Sequence, residues 1–261
     1  MDLPSSIFSS KSVNTAKTYG SENIKILLSQ GKQDNITVFD LGHTMQVKFD
    51  DGSLVVWDNQ GDSKAYYLAQ YHVHAPSEHT IDGKNYEVEV HMVHKSYSDN
   101  SLAVVGIFFD SEKGGNQQSD FISALRADRL LIQNITQVST SSIPLMPLLR
   151  KLNTDKLYMY KGSLTTPPCS EIVTWMVVNS PNPISKDQVA QINAHYKTRK
   201  DFAEGKGNNR NTQPLNERII YMKGKFNVER MDPYLSESSK GMPLHMLALA
   251  TLLSSFALFL F

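Results

Sequence analysis

The sequence predicts a mainly β protein of the α+β class, in which strands dominate and helices are few. Short runs rich in valine and aromatic residues recur from about residue 24 onward and are separated by glycine or Asp-Gly turns. Polar and apolar side chains alternate through 70–94, as they do in strands that present two different faces. Helical patterns occur at 119–134 and 185–197, and most of the remaining chain has the pattern of strand and turn.

Individual elements can be located from these patterns. Three short strands bounded by turns are predicted at 37–39, 45–49 and 54–57. The run 102–109 is apolar throughout, which predicts a strand that is buried on both faces. The second helix should begin at Ser185, because Ser185 and Gln188 have the spacing of a capping box.

The stretch 70–94 is predicted to be an antiparallel hairpin that turns at Asp82-Gly83. Side chains two residues apart on a strand share a face, so one face of the hairpin collects polar groups and the other is apolar. The polar face carries Gln70, His72 and His74 from the first arm and Glu89, His91 and Val93 from the second; the apolar face carries Val88, Val90 and Met92. A turn centred on Asp82-Gly83 would place His74 opposite His91.

Three imidazoles on one face of a hairpin indicate a zinc site. Catalytic zinc takes three protein ligands and keeps a fourth position for water. Gln70 and Glu89 each precede a histidine by two residues, where their oxygens could accept the second ring N–H of His72 and His91. The alternative is three ordinary half-buried histidines, but a third histidine with matching polar partners favours the metal.

At this point the sequence resembles the alpha-class carbonic anhydrases. The resemblance is carried by His-x-His at 72–74, by Ser-Glu-His-Thr at 77–80 and by Glu-x-His-x-Val-His at 89–94. A second block, Gly-Ser-Leu-Thr-Thr-Pro-Pro-Cys-Ser-Glu, stands at 162–171 and continues to Val-Thr-Trp, and 208–215 matches the family's Asn-x-Arg-x-x-Gln-Pro-Leu. The similarity extends from about residue 2 to about residue 228.

This resemblance implies both a fold and an activity. The fold would be a single catalytic domain over 1–232, built around a large twisted, mostly antiparallel β-sheet with short surface helices. The activity would be that of a zinc lyase, the reversible hydration of CO2 to bicarbonate and a proton by zinc-bound hydroxide. The implied cofactor is one Zn²⁺ ion, and the implied ligands are His72, His74 and His91.

The resemblance also implies roles for other residues. The Thr165 hydroxyl would donate to Glu78, His43 would carry protons to solvent, and the Asn208 backbone carbonyl would accept the ring N–H of His74. Bicarbonate would contact Thr166, and CO2 would sit among Val93, Val104, Leu164, Val173 and Trp175. From the residues alone, the apolar members could equally be core, Glu78 a salt-bridge partner and His43 a surface histidine. His79 and His94 are expected to be structural.

Composition restricts the possible partners. Lys+Arg and Asp+Glu number 26 each, which gives no reason to expect a nucleic-acid partner. The resemblance implies a small-molecule partner, CO2 or bicarbonate, and the sequence leaves the oligomeric state open. A cell-surface binding module that lost its chemistry is the alternative function, and a weak zinc esterase would use the same site.

The two ends of the chain predict a membrane-anchored protein of the cell surface or secretory pathway. A polar spacer at 233–245 precedes an uncharged tail at 246–261, the pattern of a glycosylphosphatidylinositol signal; a tail-anchored helix is the alternative. Asn35 and Asn134 begin glycosylation sequons, although the single cysteine, Cys169, would also suit a cytosolic protein. Because secreted family members pair this cysteine with one near the N-terminus, the chain is expected to be N-terminally shortened and to lack its signal peptide.

Overall fold

The computed structural model describes residues 1–3, 25–30, 35–49, 52–57, 62–132, 136–152, 157–197, 205–216 and 218–223. The Asn134 sequon, the polar spacer 233–245 and the tail 246–261 lie outside these ranges. Among the described residues no helix is both long and apolar enough to cross a bilayer.

Strands are the main regular secondary structure of the described chain. In chain order they are β1 (Asp2–Leu3), β2 (Lys25–Gln30), β3 (Ile36–Asp40), β4 (Met45–Lys48), β5 (Gly52–Trp57), β6 (Ser63–His74), β7 (Thr80–Ile81), β8 (Lys84–Asn85), β9 (Val88–Ser96), β10 (Leu102–Phe109), β11 (Gln137–Thr140), β12 (Leu157–Gly162), β13 (Val173–Asn182) and β14 (Tyr221–Lys223). The short strands predicted at 37–39, 45–49 and 54–57 correspond to β3, β4 and β5. The prediction of a mainly β protein is confirmed.

Among the described residues, eleven strands form one large sheet; nine of them follow the order β11-β3-β4-β6-β9-β10-β13-β12-β14, and β2 and β5 lie off this path. The long strand β6 pairs with β4 along its second half and with β5 along its first, and β2 pairs with β5. Every pairing in this sheet is antiparallel except that of β10 with β13. The expected mostly antiparallel sheet is therefore confirmed, and β1, β7 and β8 form a separate small sheet.

The register of the central hairpin differs from the one predicted. In the pairing of β6 with β9, His72 lies opposite His91, and His74 lies opposite Glu89. The turn at Asp82-Gly83 closes the two-residue strands β7 and β8 instead of the long arms, so it does not set their register. The difference is two residues, and because the side-chain period is also two, all three histidines keep the predicted face.

The two faces of the large sheet carry different clusters of apolar side chains. One face holds the larger apolar cluster, in which Val88, Val90 and Met92 pack against residues of the helices. The other face holds a smaller cluster that includes Val93, Val104 and Trp175. Strand β10 is buried along nearly its whole length, as its apolar sequence predicted. The histidines project from the face opposite the helices.

In the part of the chain that the structure describes, four helices cover the first face: α1 (Asp120–Ala124), α2 (Ala127–Ile132), α3 (Leu145–Lys151) and α4 (Lys186–Lys197). The single helix predicted at 119–134 was wrong, because Arg126 adopts a left-handed conformation (φ 53°) that ends α1 and separates it from α2. Helix α3 was not predicted. The capping box of α4 is formed: the Gln188 N–H donates to Ser185 Oγ, and the Ser185 N–H donates to Gln188 Oε1, both at 3.2 Å.

Candidate metal centre

Three imidazoles meet at the centre of the sheet. His72 and His91 are direct neighbours on β6 and β9, and His74 lies two residues further along β6. The ring centroids are 4.9 Å apart for His72 and His74, 5.2 Å for His72 and His91, and 4.5 Å for His74 and His91. One nitrogen from each ring lies within 4.8 Å of the other two. The structure thus brings the three predicted ligands together at one point.

The second nitrogen of each ring has a fixed acceptor. The Nδ1 atom of His72 lies 2.8 Å from Gln70 Oε1, and Nδ1 of His74 lies 3.2 Å from the Asn208 carbonyl oxygen. The Nε2 atom of His91 lies 2.9 Å from Glu89 Oε1. Because these oxygens can only accept, each ring nitrogen donates to them, and the other nitrogen of each ring presents its lone pair to the common centre.

Besides accepting a hydrogen bond from His74 through its backbone carbonyl, Asn208 makes hydrogen bonds through its side chain. Its side-chain oxygen accepts the Ala75 N–H at 2.8 Å, and its amide nitrogen donates to the carbonyls of Val73 at 2.8 Å and His43 at 2.9 Å. The side chain therefore ties the end of β6 to the loop that carries His43, and holds His74 in place from behind.

Glu89 is fully buried and receives four hydrogen bonds. Its Oε1 accepts from His91 and also from Nδ1 of His79 at 2.6 Å, while Oε2 accepts the backbone N–H groups of Glu78 and His79, each at 2.9 Å. Burial by itself raises the pKa of this carboxyl, but His79 and His91 and their hydrogen bonds hold the pKa well below its usual range. Gly106 leaves the necessary room, since a Cβ there would lie 2.8 Å from Glu89 Oε1.

Glu78 turns one carboxylate oxygen toward the imidazoles. Its Oε1 accepts the Arg210 backbone N–H at 2.7 Å, and its Oε2 lies 3.5 Å from Nε2 of His74 and 3.8 Å from Nδ1 of His91. Within the described ranges, Oε2 has no hydrogen-bond partner. The expected hydrogen bond from Thr165 to Glu78 is therefore not formed here, although both residues line the same small cavity of about 50 Å³.

The donor set fits a zinc ion. Nε2 of His74 also lacks a hydrogen-bond partner among the described residues, so an imidazole lone pair and a carboxylate oxygen face each other across 3.5 Å. Burial lowers the pKa of His72 well below its usual value, and the neighbouring imidazoles lower it further. Burial also lowers the pKa of His74 to about 4, although the charge of Glu78 opposes this shift. Neutral rings with convergent lone pairs are the ligands that zinc takes in catalytic sites, and a cation at their centre would satisfy both unpartnered atoms.

The predicted CO2 residues form an apolar wall beside His91. Val93, Val104 and Trp175 are neighbours in one row across β9, β10 and β13. Val173 belongs to the same cluster, and Leu164 packs against it. The Trp175 ring stands edge-on to His91 with the centroids 4.7 Å apart, and its N–H donates to the Ser163 carbonyl at 3.1 Å. After β12, Thr165 is half-buried in the small cavity, whereas Thr166 is exposed.

His43 lies at the edge of the site in the loop between β3 and β4. The loop turns at Gly42 (φ 84°), whose N–H donates to Asp40 Oδ1 at 2.8 Å. The His43 ring is half-buried, and a positive charge on it would lower the pKa of His72, after the larger effects of burial, His74 and His91. The loop thus places a titratable ring beside the metal ligands and within reach of solvent.

The chain matches a known protein family. The model described as "Eukaryotic-type carbonic anhydrase" matches residues 8–224. The chain belongs to this family. Among curated carbonic anhydrases, alpha carbonic anhydrase 7 of Arabidopsis thaliana is 33% identical over 188 residues, which are 72% of this chain and 64% of that protein. The carbonic anhydrase of Pectobacterium carotovorum is 36% identical over 181 residues, 69% of this chain and 66% of that protein. The chain therefore spans less than two thirds of the length of these curated relatives.

Solved carbonic anhydrase structures have the same fold. The alpha carbonic anhydrase of Aspergillus oryzae is 31% identical, with a TM-score of 0.61 over 75% of this chain and 76% of that one. The enzyme of Thermovibrio ammonificans, solved with the inhibitor sulfanilamide, is 30% identical, with a TM-score of 0.62 over 85% of this chain and 84% of that one. Dioscorin, solved with ascorbate, is 23% identical with a TM-score of 0.65 over 87% of this chain and 85% of that one, and shows the fold alone.

Two parts of the site were not predicted from the sequence. No contact was predicted for Arg210, and its backbone N–H donates to the Glu78 carboxylate. His79 was expected to be structural, and the structure places it between Glu89 and the Tyr160 hydroxyl. The spacing of residues in the sequence gives no signal for either contact, since Tyr160 lies 81 residues and Arg210 132 residues from its partner.

The buried imidazoles predict that the metal-free protein loses stability in mild acid. Burial lowers the pKa of His74 and of His94 to about 4 in the folded state, against 6.5 for an exposed ring. As pH falls from 6.5 toward 4, the unfolded chain binds protons that the folded chain does not, so the free energy of unfolding falls, by on the order of 3 kcal/mol per ring. Urea unfolding of chelator-treated protein at several pH values measures this. The His94→Gln variant should show a shallower decline; an equal decline would contradict the prediction.

Proposed function

We propose that this protein catalyses the reversible hydration of CO2 to bicarbonate and a proton, as a zinc enzyme. The observation that carries the proposal is the convergence of one unprotonated nitrogen each from His72, His74 and His91, with the second nitrogen of each ring held by an acceptor. A zinc ion held by three imidazoles lowers the pKa of a water molecule to about 7, which supplies a nucleophile at neutral pH.

The residues around this point have roles that suit the substrate. CO2 is apolar, and the wall formed by Val93, Val104 and Trp175 offers it an apolar surface directly beside His91. Water is excluded on that side because these side chains are almost fully buried. A substrate held there lies next to the centre on which the three imidazoles converge, so its position favours reaction.

Glu78 and Thr165 would orient the reacting water through hydrogen bonds. Because Glu78 Oε2 is buried and unpartnered among the described residues, it accepts a hydrogen bond from any hydroxyl or water that enters the small cavity. Thr165 lines the same cavity, and rotation of its side chain would bring its hydroxyl to Glu78. A hydroxyl that donates to the carboxylate can then only accept from the reacting water. We assign the transfer of the released proton to His43, at the solvent-facing edge.

Stopped-flow measurement of CO2 hydration on zinc-loaded protein tests the proposal. We expect turnover that depends on zinc, is removed by chelation, and is inhibited by sulfanilamide, which the Thermovibrio ammonificans relative binds. Turnover that survives removal of zinc would contradict the proposed chemistry. A folded protein that binds no zinc would instead favour the binding module.

We further propose that the protein is a glycosylated protein of the cell surface or secretory pathway, anchored through its C-terminus. The support is the polar spacer at 233–245 followed by the uncharged tail at 246–261, and the Asn35 sequon, whose asparagine is exposed. Treating intact cells with a phosphatidylinositol-specific phospholipase should release a lipid-anchored protein into the medium. Retention on the membrane would favour the tail-anchored helix.

A further inference from the structure

A continuous hydrogen-bonded path leads away from the metal centre into the sheet. It runs from Nε2 of His91 to Glu89 Oε1 (2.9 Å), from that oxygen to Nδ1 of His79 (2.6 Å), and from Nε2 of His79 to the Tyr160 hydroxyl (2.6 Å). All four side chains are buried, with exposed fractions of 4% or less. His79, Glu89 and His91 also have the spacing of metal ligands, but these hydrogen bonds already occupy the atoms concerned.

The chemistry of the four groups fixes the direction of each hydrogen bond. The Glu89 carboxylate only accepts, so Nδ1 of His79 carries a proton and donates to it. Burial lowers the pKa of His79, so the ring is neutral and its Nε2 is an acceptor. The Tyr160 hydroxyl must therefore donate to Nε2, and burial raises the pKa of that hydroxyl well above its usual value, which keeps it protonated.

In this path, His79 and His91 compete for one acceptor oxygen. Both rings donate to the same oxygen, Oε1 of Glu89, while Oε2 is saturated by two backbone N–H groups. The carboxylate cannot offer Oε2 to either ring without giving up the two backbone hydrogen bonds that this oxygen accepts. A stronger hydrogen bond from His79 therefore withdraws electron density from the oxygen that makes His91 a better ligand.

We propose that His79 and Tyr160 are positioning residues that set the donor strength of His91 toward the metal, through the shared oxygen of Glu89. Tyr160 strengthens the bond from His79 to Glu89 by polarising the His79 ring. It would thereby weaken the bond from His91, and a zinc ion held by the three imidazoles would remain a stronger Lewis acid. The inference rests on the zinc site of the proposed function and adds two residues that touch neither metal nor substrate.

The test compares Tyr160→Phe with Tyr158→Phe. Both variants keep the aromatic ring and remove a buried hydroxyl from the same face of β12, but the Tyr158 hydroxyl bonds Asn179. Zinc affinity is measured by chelator competition, the cobalt(II)-substituted proteins are compared by visible absorption, and the pH profile of CO2 hydration is recorded. In Tyr160→Phe the zinc dissociation constant should fall about twofold to fivefold, and the midpoint of the pH profile should rise by about 0.3 to 0.5.

The outcomes separate the inference from the function on which it rests. Tighter zinc binding, a changed cobalt spectrum and a raised midpoint in Tyr160→Phe, all absent in Tyr158→Phe, support the inference. If the two variants are alike in all three measurements, or if zinc binding weakens, the inference is overturned while the zinc enzyme stands. A wild-type protein that binds no zinc overturns both.

Discussion

Replacing His91 with alanine is expected to abolish zinc binding and, with it, the proposed hydration of CO2. The variant keeps only two of the three imidazoles, and two nitrogens do not complete a catalytic zinc site. It also leaves Glu89 Oε1 with His79 as its remaining donor. We expect less than about 0.1 zinc per chain after dialysis and a loss of at least about 10³-fold in kcat/KM. Metal analysis and stopped-flow hydration measure the two effects.

His94→Gln is the matched control. His94 lies three residues further along β9 and is as buried as His91, and its Nδ1 donates to the Met92 carbonyl at 3.1 Å. This variant also loses a buried imidazole but should retain one zinc and its turnover. Circular dichroism verifies that both variants fold. If His91→Ala kept zinc and turnover while folded, the assignment of the metal ligands would be wrong.

The features of the site that follow from local pattern could be predicted from the sequence. The two-residue period of a strand puts His72, His74 and His91 on one face whatever the register of the hairpin, provided that the register changes in steps of two. The offset of Gln70 and Glu89 by two residues from their histidines depends on the same period. These predictions required no knowledge of the strand order.

Contacts between residues that are far apart in the sequence could not be predicted in this way. Tyr160 reaches His79 because β12 lies next to β13, and β13 next to β10, in a sheet whose strand order departs from chain order. The predicted register of the hairpin was wrong for a similar reason, since residues 75–87 contain the separate short strands β7 and β8 between the two long arms. The break between α1 and α2 falls at Arg126, and a left-handed arginine has no signal comparable to that of glycine or proline.

Replacing Glu89 with alanine is expected to destabilise the protein more than any other single change at this site. The carboxylate accepts hydrogen bonds from two rings and two backbone N–H groups, and all four donors would be left buried without an acceptor. Removing one partner from a buried charged network costs about 3–5 kcal/mol of unfolding free energy. Zinc affinity should also fall about 10- to 100-fold, because His91 loses the acceptor that fixes its ring. Urea unfolding and chelator competition measure these losses.

Two further variants serve as controls for Glu89→Ala. Glu89→Gln keeps the shape but offers a single acceptor oxygen to four donors, so it should recover little of the loss. Glu87→Ala removes a half-buried carboxylate two residues earlier, whose hydrogen bonds within the described ranges come from Ser111. This variant should lose about 1 kcal/mol of unfolding free energy and leave zinc affinity unchanged. Because the pKa of Glu89 is lowered in the fold, its contribution to stability is present at neutral pH and is lost as pH falls through that lowered pKa. The difference between wild type and Glu89→Ala should therefore shrink in acid, and a difference that stayed constant with pH would contradict an ionised Glu89.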